Sequence, residues 1–518
     1  MYLGYHAQRS PQHTALIIAE SQESLTYAQL DERSNRAARL LRRLGLRAGD
    51  QIAVMLPNVP EYLEIAWAAL RSGLYITPLN TYMTADEIAY IVADCGARVL
   101  IASGVYSERL EPLGARLSGR VARLAVGKAC DGWEDYRSLV GQESSERLED
   151  ERVGAIHCYS SGTTGRPKGV KLEALTTPIS DGVQKDAAAY AKAYRLTPDT
   201  VYMTPAPLFH SAALHFSVAV HGQGGTVVLM EKFDAQKALD AMERFRVTHS
   251  QWVPTMFGRL MRLPKQDREA RDLSHHILAL HGGAPCPIHL KRQMIEWWGP
   301  IIVEAYGCTE LYGFTAIDTA DWLKHPGSVG RPVLGSIHIC DESGAELPAG
   351  TPGLVYFGGA QACAFEYHND PERTRASRHP VHPWSTVGDI GYTDAEGYLY
   401  LTDRKDFLII SGGVNISPQA VEDALISHPL VDDVAVFGVP HHDLGEEVKA
   451  LVQLADGTAP SEELTRELLE YAKTRIARYM VPRSIEFVTT LPRLPNGKLY
   501  KRALRDRYRE AALAARSG

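Results

Sequence analysis

The first hundred residues alternate between short apolar strands and capped helices, and this alternation restricts the fold more than any other feature of the chain. Thr26-Tyr-Ala-Gln29 and Thr84-Ala-Asp-Glu87 each have the pattern of a capping box at the start of a helix, and Gln51–Leu56 has the pattern of a buried strand. A helical segment from Glu61 to Arg71 and a strand at Arg98–Ile101 continue the series. Strands separated by helices at this spacing are typical of helix-covered parallel sheets. The sequence therefore predicts an α/β fold with layered, largely parallel sheets.

The pattern changes in the last third of the chain. Residues 335–402 carry short alternating apolar runs separated by Gly, Asp and Pro, which favours a β-rich end to a large domain. The charged break Asp403–Asp406 is followed by strand and helix patterns over about 110 residues, enough for a domain with its own core. We predict a multi-subdomain N-terminal domain over 1–405 and a small, mobile α+β C-terminal domain over 406–518.

Composition argues against several classes of function. Lys and Arg number 55 and Asp and Glu number 62, and the resulting net charge of −7 disfavours nucleic acid or an anionic membrane as the main partner. We find no apolar stretch long enough for a transmembrane segment and no signal-peptide pattern. The seven Cys form no Cys-x-x-Cys pair, which favours scattered reduced thiols. The sequence predicts a cytoplasmic location.

The strongest chemical signal is the segment Tyr159-Ser-Ser-Gly-Thr-Thr-Gly-Arg-Pro-Lys-Gly-Val170. Its glycines allow backbone N–H groups to approach an anion closely, its hydroxyls add donors, and Lys168 adds a positive charge. It is not a Walker A motif, because Lys168 lies between Pro167 and Gly169 and does not lead into a helix. We interpret the segment as a mobile loop that closes over a polyphosphate. The residues predicted to bind it are Ser160, Ser161, Gly162, Thr163, Thr164, Gly165 and Lys168.

This segment resembles the phosphate loop of the AMP-forming adenylate-forming superfamily. That superfamily includes acyl-CoA synthetases, the adenylation domains of peptide synthetases and beetle luciferase. Further motifs that resemble the family occur in the same order over essentially the whole chain. The resemblance implies an enzyme that uses ATP, Mg²⁺ and CoA in two half-reactions. A carboxylate first attacks the α-phosphate of ATP to give acyl-AMP and pyrophosphate, and a thiol then displaces AMP to give a thioester.

A second segment, Glu304-Ala-Tyr-Gly-Cys-Thr-Glu310, resembles the family's Tyr-Gly-x-Thr-Glu motif. The resemblance implies that Tyr306, followed by Gly307, stacks on adenine. It also implies catalytic roles for Thr309, as a donor to a phosphate oxygen, and for Glu310, as the Mg²⁺ ligand. An oxygen ligand suits this role because Mg²⁺ is a hard cation.

Three further segments resemble the family's nucleotide-binding segments. His281-Gly-Gly-Ala-Pro285 is similar to the turn beside adenine, and Asp389 and Arg404 match residues that contact the ribose. Val387 departs from the family pattern, which usually has Thr or Ser directly before the Gly. Asp406 matches the hinge position between the two domains. The turn residues implied to flank adenine are Gly282, Gly283, Ala284 and Pro285.

The small domain supplies a catalytic lysine by the same resemblance. Pro495-Asn-Gly-Lys498 is similar to the family's lysine motif, and its turn residues favour a flexible tip. A cation delivered to the reacting carboxylate and α-phosphate stabilises the charge that develops there. Family members rotate the small domain between the two half-reactions, which implies that Gly412 and Gly413 line the thiol path. Arg478 and Arg483 are the candidates for contacts with CoA phosphates.

The acid substrate is predicted from the segment around His210, which resembles the family segment beside the carboxylate. No Asp, Glu, Lys or Arg occurs from Met203 to Met230, whereas peptide synthetases have an Asp in this neighbourhood for the α-amine. An apolar pocket selects by size and shape, so we expect a fatty, alicyclic, steroid-side-chain or aryl acid. The residues predicted to line this pocket are His210, Leu214, Trp252, Ala305 and Leu311.

Several alternatives remain open at this point. The chain most resembles bacterial fatty-acyl-CoA synthetases of the FadD type, but an aryl- or cinnamic-acid–CoA ligase fits the same motifs. A ligase that loads a carrier protein's phosphopantetheine, or a non-catalytic acyl or nucleotide sensor, would also carry these binding segments. A homodimer is compatible with the sequence, which does not determine the oligomeric state.

Overall fold

The computed structural model describes most of the chain, and the fold below refers to these residues. The described ranges are 2–117, 119–128, 130–160, 167–172, 177–181, 191–360, 362–404, 407–412, 414–441, 443–455, 457–493, 499–501 and 503–508. Within them, no helix combines the length and the apolar character needed to cross a bilayer.

A six-stranded, fully parallel sheet is formed by the first part of the chain. The predicted capping boxes are present, because the Thr26 and Thr84 side chains each exchange hydrogen bonds with the residue three positions later. In spatial order the strands are Glu134–Asp135, Ala122–Val126, Ala97–Ser103, Gln51–Met55, Tyr75–Pro78 and Ala155–Ile156. The helices of this region are Leu3–Arg9, Tyr27–Arg43, Pro60–Arg71, Ala85–Asp94, Gly104–Tyr106 (3₁₀), Ser107–Arg116 and Tyr136–Gly141.

A nine-stranded sheet lies next in the chain, and its six central strands are parallel. Its order is Arg331–Leu334, Phe314–Ile317, Ile302–Gly307, Leu278–Gly282, His249–Trp252, Val201–Thr204, Thr226–Leu229, Thr14–Ile18 and Ser24–Thr26. The first strand of the chain pairs with Thr226–Leu229, so the sheet joins residues 212 positions apart. The accompanying helices are Ser211–Gln223, Ala235–Arg244, Pro254–Met261, Lys265–Glu269, Ile288–Trp298 and Thr319–Lys324.

Two antiparallel sheets follow, and the second of them confirms the predicted β-rich end of the large domain. One has the order Phe365–Tyr367, Lys168–Leu172 and Cys158–Ser160. The other has the order Ser336–Cys340, Gly353–Gly358, Asp389–Thr393 and Leu399–Arg404, with Trp384–Ser385 beside the second of these strands. The short helices here are Ile179–Asp181 (3₁₀) and Pro371–Ala376.

A fifth sheet is formed after residue 406 and has a core of its own. Its order is Val414–Ile416, Ile409–Ser411, Gly445–Leu454 and Val431–His441, and Ser484–Val488 pairs in parallel with Gly445–Leu454. The helices Pro418–Ile426, Glu462–Lys473 and Arg478–Met480 (3₁₀) belong to this region, and residues 503–508 are also helical. The predicted mixed α/β fold, with a large layered part and a smaller α+β part, is confirmed.

The fold brings three of the predicted site segments to one edge of the nine-stranded sheet. Parallel strands Val201–Thr204, Leu278–Gly282 and Ile302–Gly307 end beside the segments predicted to contact the acid, adenine and the phosphates. Ligands of open α/β sheets bind outside the carboxyl ends of the strands. This edge is therefore the candidate active site.

Candidate active site

The phosphate segment connects the two strands of an antiparallel hairpin. Strand Cys158–Ser160 pairs with Lys168–Leu172, and Lys168 lies opposite Ser160. Lys168 is thus the first residue of a strand, which confirms that the segment does not lead into a helix. The Ser160 side chain is outside the described part of the chain. The same holds for the whole of Ser161, Gly162, Thr163, Thr164 and Gly165.

Asp94 connects the two outer strands of this three-stranded sheet to the six-stranded part of the protein. Tyr159 donates its hydroxyl hydrogen bond to Asp94 Oδ2 at 2.5 Å. Directly after the strand Phe365–Tyr367, His368 Nε2 donates to the Asp94 backbone oxygen at 2.9 Å, and Asn369 Nδ2 donates to Asp94 Oδ1 at 3.2 Å. Burial lowers the pKa of the adjacent His157 to about 4, so its ring is neutral near pH 7. Hydrogen bonds to Asp94 therefore hold the sheet that carries the phosphate segment in place.

Glu310 lies beside the lysine of the phosphate segment. It follows strand Ile302–Gly307, in the turn that leads to Phe314–Ile317. Tyr367 donates a hydrogen bond from its hydroxyl to Glu310 Oε1 at 2.7 Å, and Lys168 Nζ lies 5.5 Å from the centroid of the Tyr367 ring. A carboxylate and an ammonium are thus held around one buried ring, as binding of Mg²⁺ and a polyphosphate requires.

Tyr306 and Asp389 contact each other directly. Tyr306 donates a hydrogen bond from its hydroxyl to Asp389 Oδ2 at 2.5 Å. Asp389 pairs with Arg404 across neighbouring strands, and the Arg404 side chain lies outside the described residues. The departure at Val387 has a structural explanation, because Thr386 one residue earlier accepts a hydrogen bond from Gly388 N at 3.0 Å. The residues predicted to bind adenine and ribose therefore lie together.

A series of ring contacts joins this pair to Glu310 and Lys168. The rings in contact are, in order, Tyr306, Phe357, Tyr312, Phe365 and Tyr367, with centroid separations between 5.3 and 6.2 Å. All but Tyr306 are buried. The adenosine and phosphate residues are thus fixed on one aromatic cluster.

The turn predicted to flank adenine follows strand Leu278–Gly282. Gly282 lies opposite Ala305, where a Cβ would come within 2.4 Å of the Ala305 backbone oxygen. Gly283 has a φ of +78°, a conformation that favours glycine. Ala284 and Pro285 complete the turn before helix Ile288–Trp298. Gly282 thus permits the close contact with the neighbouring strand, and Gly283 permits the turn that follows.

A buried ion pair lies beneath this turn. Lys291 Nζ is 2.6 Å from Glu304 Oε2, and the two side chains are 0% and 7% exposed. Burial raises the pKa of Glu304 and lowers that of Lys291, while the attraction between them opposes both shifts. Burial also lowers the pKa of His281 well below its ordinary value, and this ring lies 3.7 Å from Glu304 Oε2. The pair joins helix Ile288–Trp298 to the strand that carries Tyr306.

The residues predicted to line the acyl pocket lie in different environments. Leu214 and Trp252 are fully buried in two hydrophobic cores, and Trp252 donates to Ser250 Oγ at 2.6 Å. His210 precedes helix Ser211–Gln223 and is half-buried, with its ring 4.5 Å from that of Phe209. Ala305 lies on the strand before Tyr306, and Leu311 follows Glu310 with a φ of +52°. His210, Ala305 and Leu311 therefore remain the better candidates for contact with the acid.

The absence of charge between Met203 and Met230 has a second explanation. Helix Ser211–Gln223 is buried on most of its surface and belongs to the largest core, which excludes charged side chains. Only its first turns present partly exposed residues toward the carboxyl edge of the sheet, namely Ser211, Ala212 and His215. Ser211 and Ala212 have small, uncharged side chains. Burial lowers the pKa of His215, which favours the neutral ring.

The candidate CoA residues lie in the small domain. Gly412 is exposed in a turn with a φ of +58°, and Arg478 and Arg483 are exposed near the strand Ser484–Val488. Lys498, Asp406 and Gly413 lie outside the described residues. The two domains contact each other where Arg262 forms an ion pair with Asp432.

Glu310 offers the oxygen ligand that Mg²⁺ prefers. Among the described residues, no group of three His, Cys, Asp or Glu side chains could hold a metal ion. Mg²⁺ does not need such a group, because it is bound by one or two carboxylates together with substrate phosphates and water. Glu310 would hold the ion, which would offset the negative charge of the phosphates.

We predict that Tyr306→Phe weakens ATP binding. The change keeps the ring and removes only the hydroxyl that donates to Asp389. Because a hydrogen bond to a charged group contributes about 1.5–3 kcal/mol, we expect the KM for ATP to rise at least about tenfold. Steady-state pyrophosphate release would measure it. Tyr392→Phe, three residues after Asp389, is the control, and an equal KM in both variants would contradict the prediction.

Comparison with known proteins agrees with this geometry. The AMP-binding enzyme family matches residues 3–365, and the AMP-binding enzyme C-terminal domain matches residues 420–498. The chain belongs to the AMP-binding enzyme family. A feruloyl-CoA synthase of Amycolatopsis sp is 35% identical over 509 residues, which cover 97% of each chain. The long-chain-fatty-acid–CoA ligase FadD13 of Mycobacterium tuberculosis is 31% identical over 98% of this chain and 97% of its own.

Solved structures extend this agreement to three dimensions. ATP-bound MatB from Rhodopseudomonas palustris superposes with a TM-score of 0.83 at 28% identity, covering 99% of this chain and 100% of that one. The family assignment inferred from the motifs is confirmed. This member of the family is an AMP-forming acid–thiol ligase, an enzyme class that uses ATP, Mg²⁺ and CoA.

Sequence reasoning missed the residues that hold the site together. Tyr367 and Asp94 carry no motif of their own, and they meet Glu310 and Tyr159 only after the sheets assemble. A weak sequence signal lies close to Tyr367. Asp370 and Pro371 have the pattern of a helix start, which indicates that the strand before them has ended. Lys291 also has a weak sequence signal, because it is a charged residue on the apolar face of helix Ile288–Trp298.

Proposed function

We propose that this enzyme activates a hydrophobic carboxylic acid, aryl or fatty, with ATP to acyl-AMP and then transfers the acyl group to CoA. The observation that carries the proposal is the meeting of Glu310, Tyr367 and Lys168 on the aromatic cluster that also holds the Tyr306–Asp389 pair. This arrangement provides neighbouring sites for a divalent cation, phosphates and a nucleoside. An acyl-adenylate can form where all three meet the acid.

In the first half-reaction the acid's carboxylate oxygen attacks the α-phosphorus, and the bond from that phosphorus to the pyrophosphate oxygen breaks. Tyr306 and Asp389 would hold the adenosine. Lys168 and Thr309 would contact the phosphates, and Lys498 would stabilise charge as the acid joins phosphorus. In the second half-reaction the CoA thiol loses its proton, attacks the acyl carbon and releases AMP.

The partly exposed residues near the carboxyl edge support a substrate without a second charge. Ser211, Ala212 and His215 follow His210 at the start of their helix, and none offers a carboxylate for an amine. An amine in such a place would be desolvated without a partner, which is unfavourable. Neutral polar groups could still hydrogen-bond a ring hydroxyl, so aryl acids are the first class to examine.

The decisive experiment is pyrophosphate release across a panel of cinnamic, benzoic, fatty, alicyclic and amino acids. We expect activity with one of the uncharged classes and none with amino acids, together with AMP release that depends on CoA. Competition between CoA and a phosphopantetheine carrier protein tests the acceptor. Pyrophosphate release with none of these acids, despite ATP binding, would favour a nucleotide sensor instead.

The remaining predictions concern the organisation of the protein. We propose that residues 1–405 hold the ATP and acid sites and that 406–518 form the mobile domain, hinged at Asp406. The Cys side chains of the described residues are all free thiols, which supports a reducing, cytoplasmic location. A homodimer stays a prediction that the mass of the protein in solution would test.

A further inference from the structure

We propose that Tyr367 is a positioning residue that orients Glu310 for Mg²⁺, an inference that rests on the proposed function. The Tyr367 hydroxyl donates to one carboxylate oxygen, Glu310 Oε1, at 2.7 Å. Both side chains are only 6% exposed, so water competes little for this contact. A carboxylate can accept several hydrogen bonds and bind a cation at the same time, so the contact leaves room for the ion.

Tyr367 is itself held in place from both sides. Its backbone N donates to Thr374 Oγ1 at 3.0 Å, and its backbone O accepts from Asp370 N at 3.1 Å. Its ring packs against Phe365, with the ring planes at 80°. Val170 lies opposite Tyr367 in the paired strand, which fixes the ring relative to the hairpin that carries Lys168. The hydroxyl is therefore a preorganised donor.

Glu310 lies in an irregular turn between two strands. The next residue, Leu311, has a φ of +52°, a conformation that most residues with a side chain avoid. The turn that carries Glu310 is thus not set by regular hydrogen bonding of a strand or helix. The Glu310 carboxylate is buried in this turn, and the Tyr367 hydroxyl fixes the position of its Oε1 oxygen.

Tyr367 also connects the carboxylate to the phosphate segment. Lys168 Nζ lies 5.5 Å from the centre of its ring, a distance typical of a cation–π contact. The ring and the hydroxyl therefore have separate partners. Tyr367→Phe removes the contact with Glu310 and keeps the ring beside Lys168, whereas Tyr367→Leu removes both.

The test is calorimetric binding of ATP to the full chain with and without Mg²⁺. For the wild type we expect Mg²⁺ to tighten ATP binding. For Tyr367→Phe we expect this Mg²⁺-dependent gain to fall about tenfold, as for a lost hydrogen bond to a charged group. Affinity for ATP without Mg²⁺ should stay within about twofold. Tyr356→Phe is the matched control, because Tyr356 is equally buried and lies in another sheet.

A double-mutant cycle separates orientation of Glu310 from a general effect on structure. If Tyr367 acts through Glu310, adding Tyr367→Phe to Glu310→Gln should not reduce the Mg²⁺-dependent gain further. An unchanged gain in Tyr367→Phe, or fully additive effects in the cycle, would overturn the inference. Pyrophosphate release by the wild type distinguishes this outcome from failure of the proposed function. If the proposed function is wrong, none of the acids supports pyrophosphate release by the wild type.

Discussion

Lys498→Ala should lower the rate of acyl-AMP formation by about 10²–10³-fold, as expected for the loss of one preorganised group that stabilises developing charge. Thioester formation from supplied acyl-AMP should change by less than about twofold, because the lysine then has no role at the reacting atoms. Single-turnover pyrophosphate release and thiolysis of acyl-AMP measure the two steps separately. Adenylation at the wild-type rate would show that the lysine is wrongly assigned.

The described residues on either side of this segment lie close to each other. Arg493 and Leu499 form an antiparallel bridge, and Tyr500 N donates a hydrogen bond to Pro492 O at 2.9 Å. Arg493 Nε is held 2.7 Å from Asp433 Oδ2 on the long strand Val431–His441. Lys473→Ala is the control, since Lys473 is an exposed lysine of the same domain that forms an ion pair with nearby Glu470.

Lys291→Met should destabilise the large domain by about 3–5 kcal/mol, because it leaves the Glu304 carboxylate buried without its partner. Urea unfolding followed by tryptophan fluorescence is a suitable measurement, since Lys291 Nζ lies 4.6 Å from the Trp322 ring centroid. We also expect weaker ATP binding, because Glu304 and Tyr306 share a strand.

Two further variants test the cause of this effect. Lys291→Met combined with Glu304→Leu removes both charges and should recover most of the lost stability. Lys324→Met breaks an exposed pair with Asp321 and should cost less than about 1 kcal/mol. The buried pair would be unimportant if Lys291→Met cost no more than Lys324→Met, or if the double variant were no more stable than the single one.

Local patterns in the sequence predicted most of the fold. Thr26 and Thr84 begin helices as expected because a capping box depends only on residues three positions apart. The strand pattern at Gln51–Met55 was equally clear, since every residue of that strand is buried. The order of strands in the nine-stranded sheet could not be predicted, because its pairings join segments far apart in the chain.

The candidate site was predicted to the extent that motifs define it. Tyr306 and Asp389 were expected to bind one nucleoside, and their hydrogen bond agrees with that expectation. Tyr367 was missed because a tyrosine at the end of a strand is ordinary until its partner is known. Leu214 and Trp252 were assigned to the acyl pocket from sequence, but both lie in hydrophobic cores. An apolar residue close to a motif in the sequence can belong to a core as easily as to a pocket.

The pairing of the first strand with a distant one affects how the protein is made. Thr14–Ile18 emerges early in synthesis, but its partner Thr226–Leu229 is 212 residues away, as the bond from Thr226 Oγ1 to Thr14 O shows. All strands of the six-stranded sheet have been synthesised once Ala155–Ile156 is made, so this sheet can fold first. Until Thr226–Leu229 is made, the strand Thr14–Ile18 is an apolar segment without that partner. Expression variants that shorten the chain before Thr26 would therefore expose the edge of Thr226–Leu229 and favour aggregation.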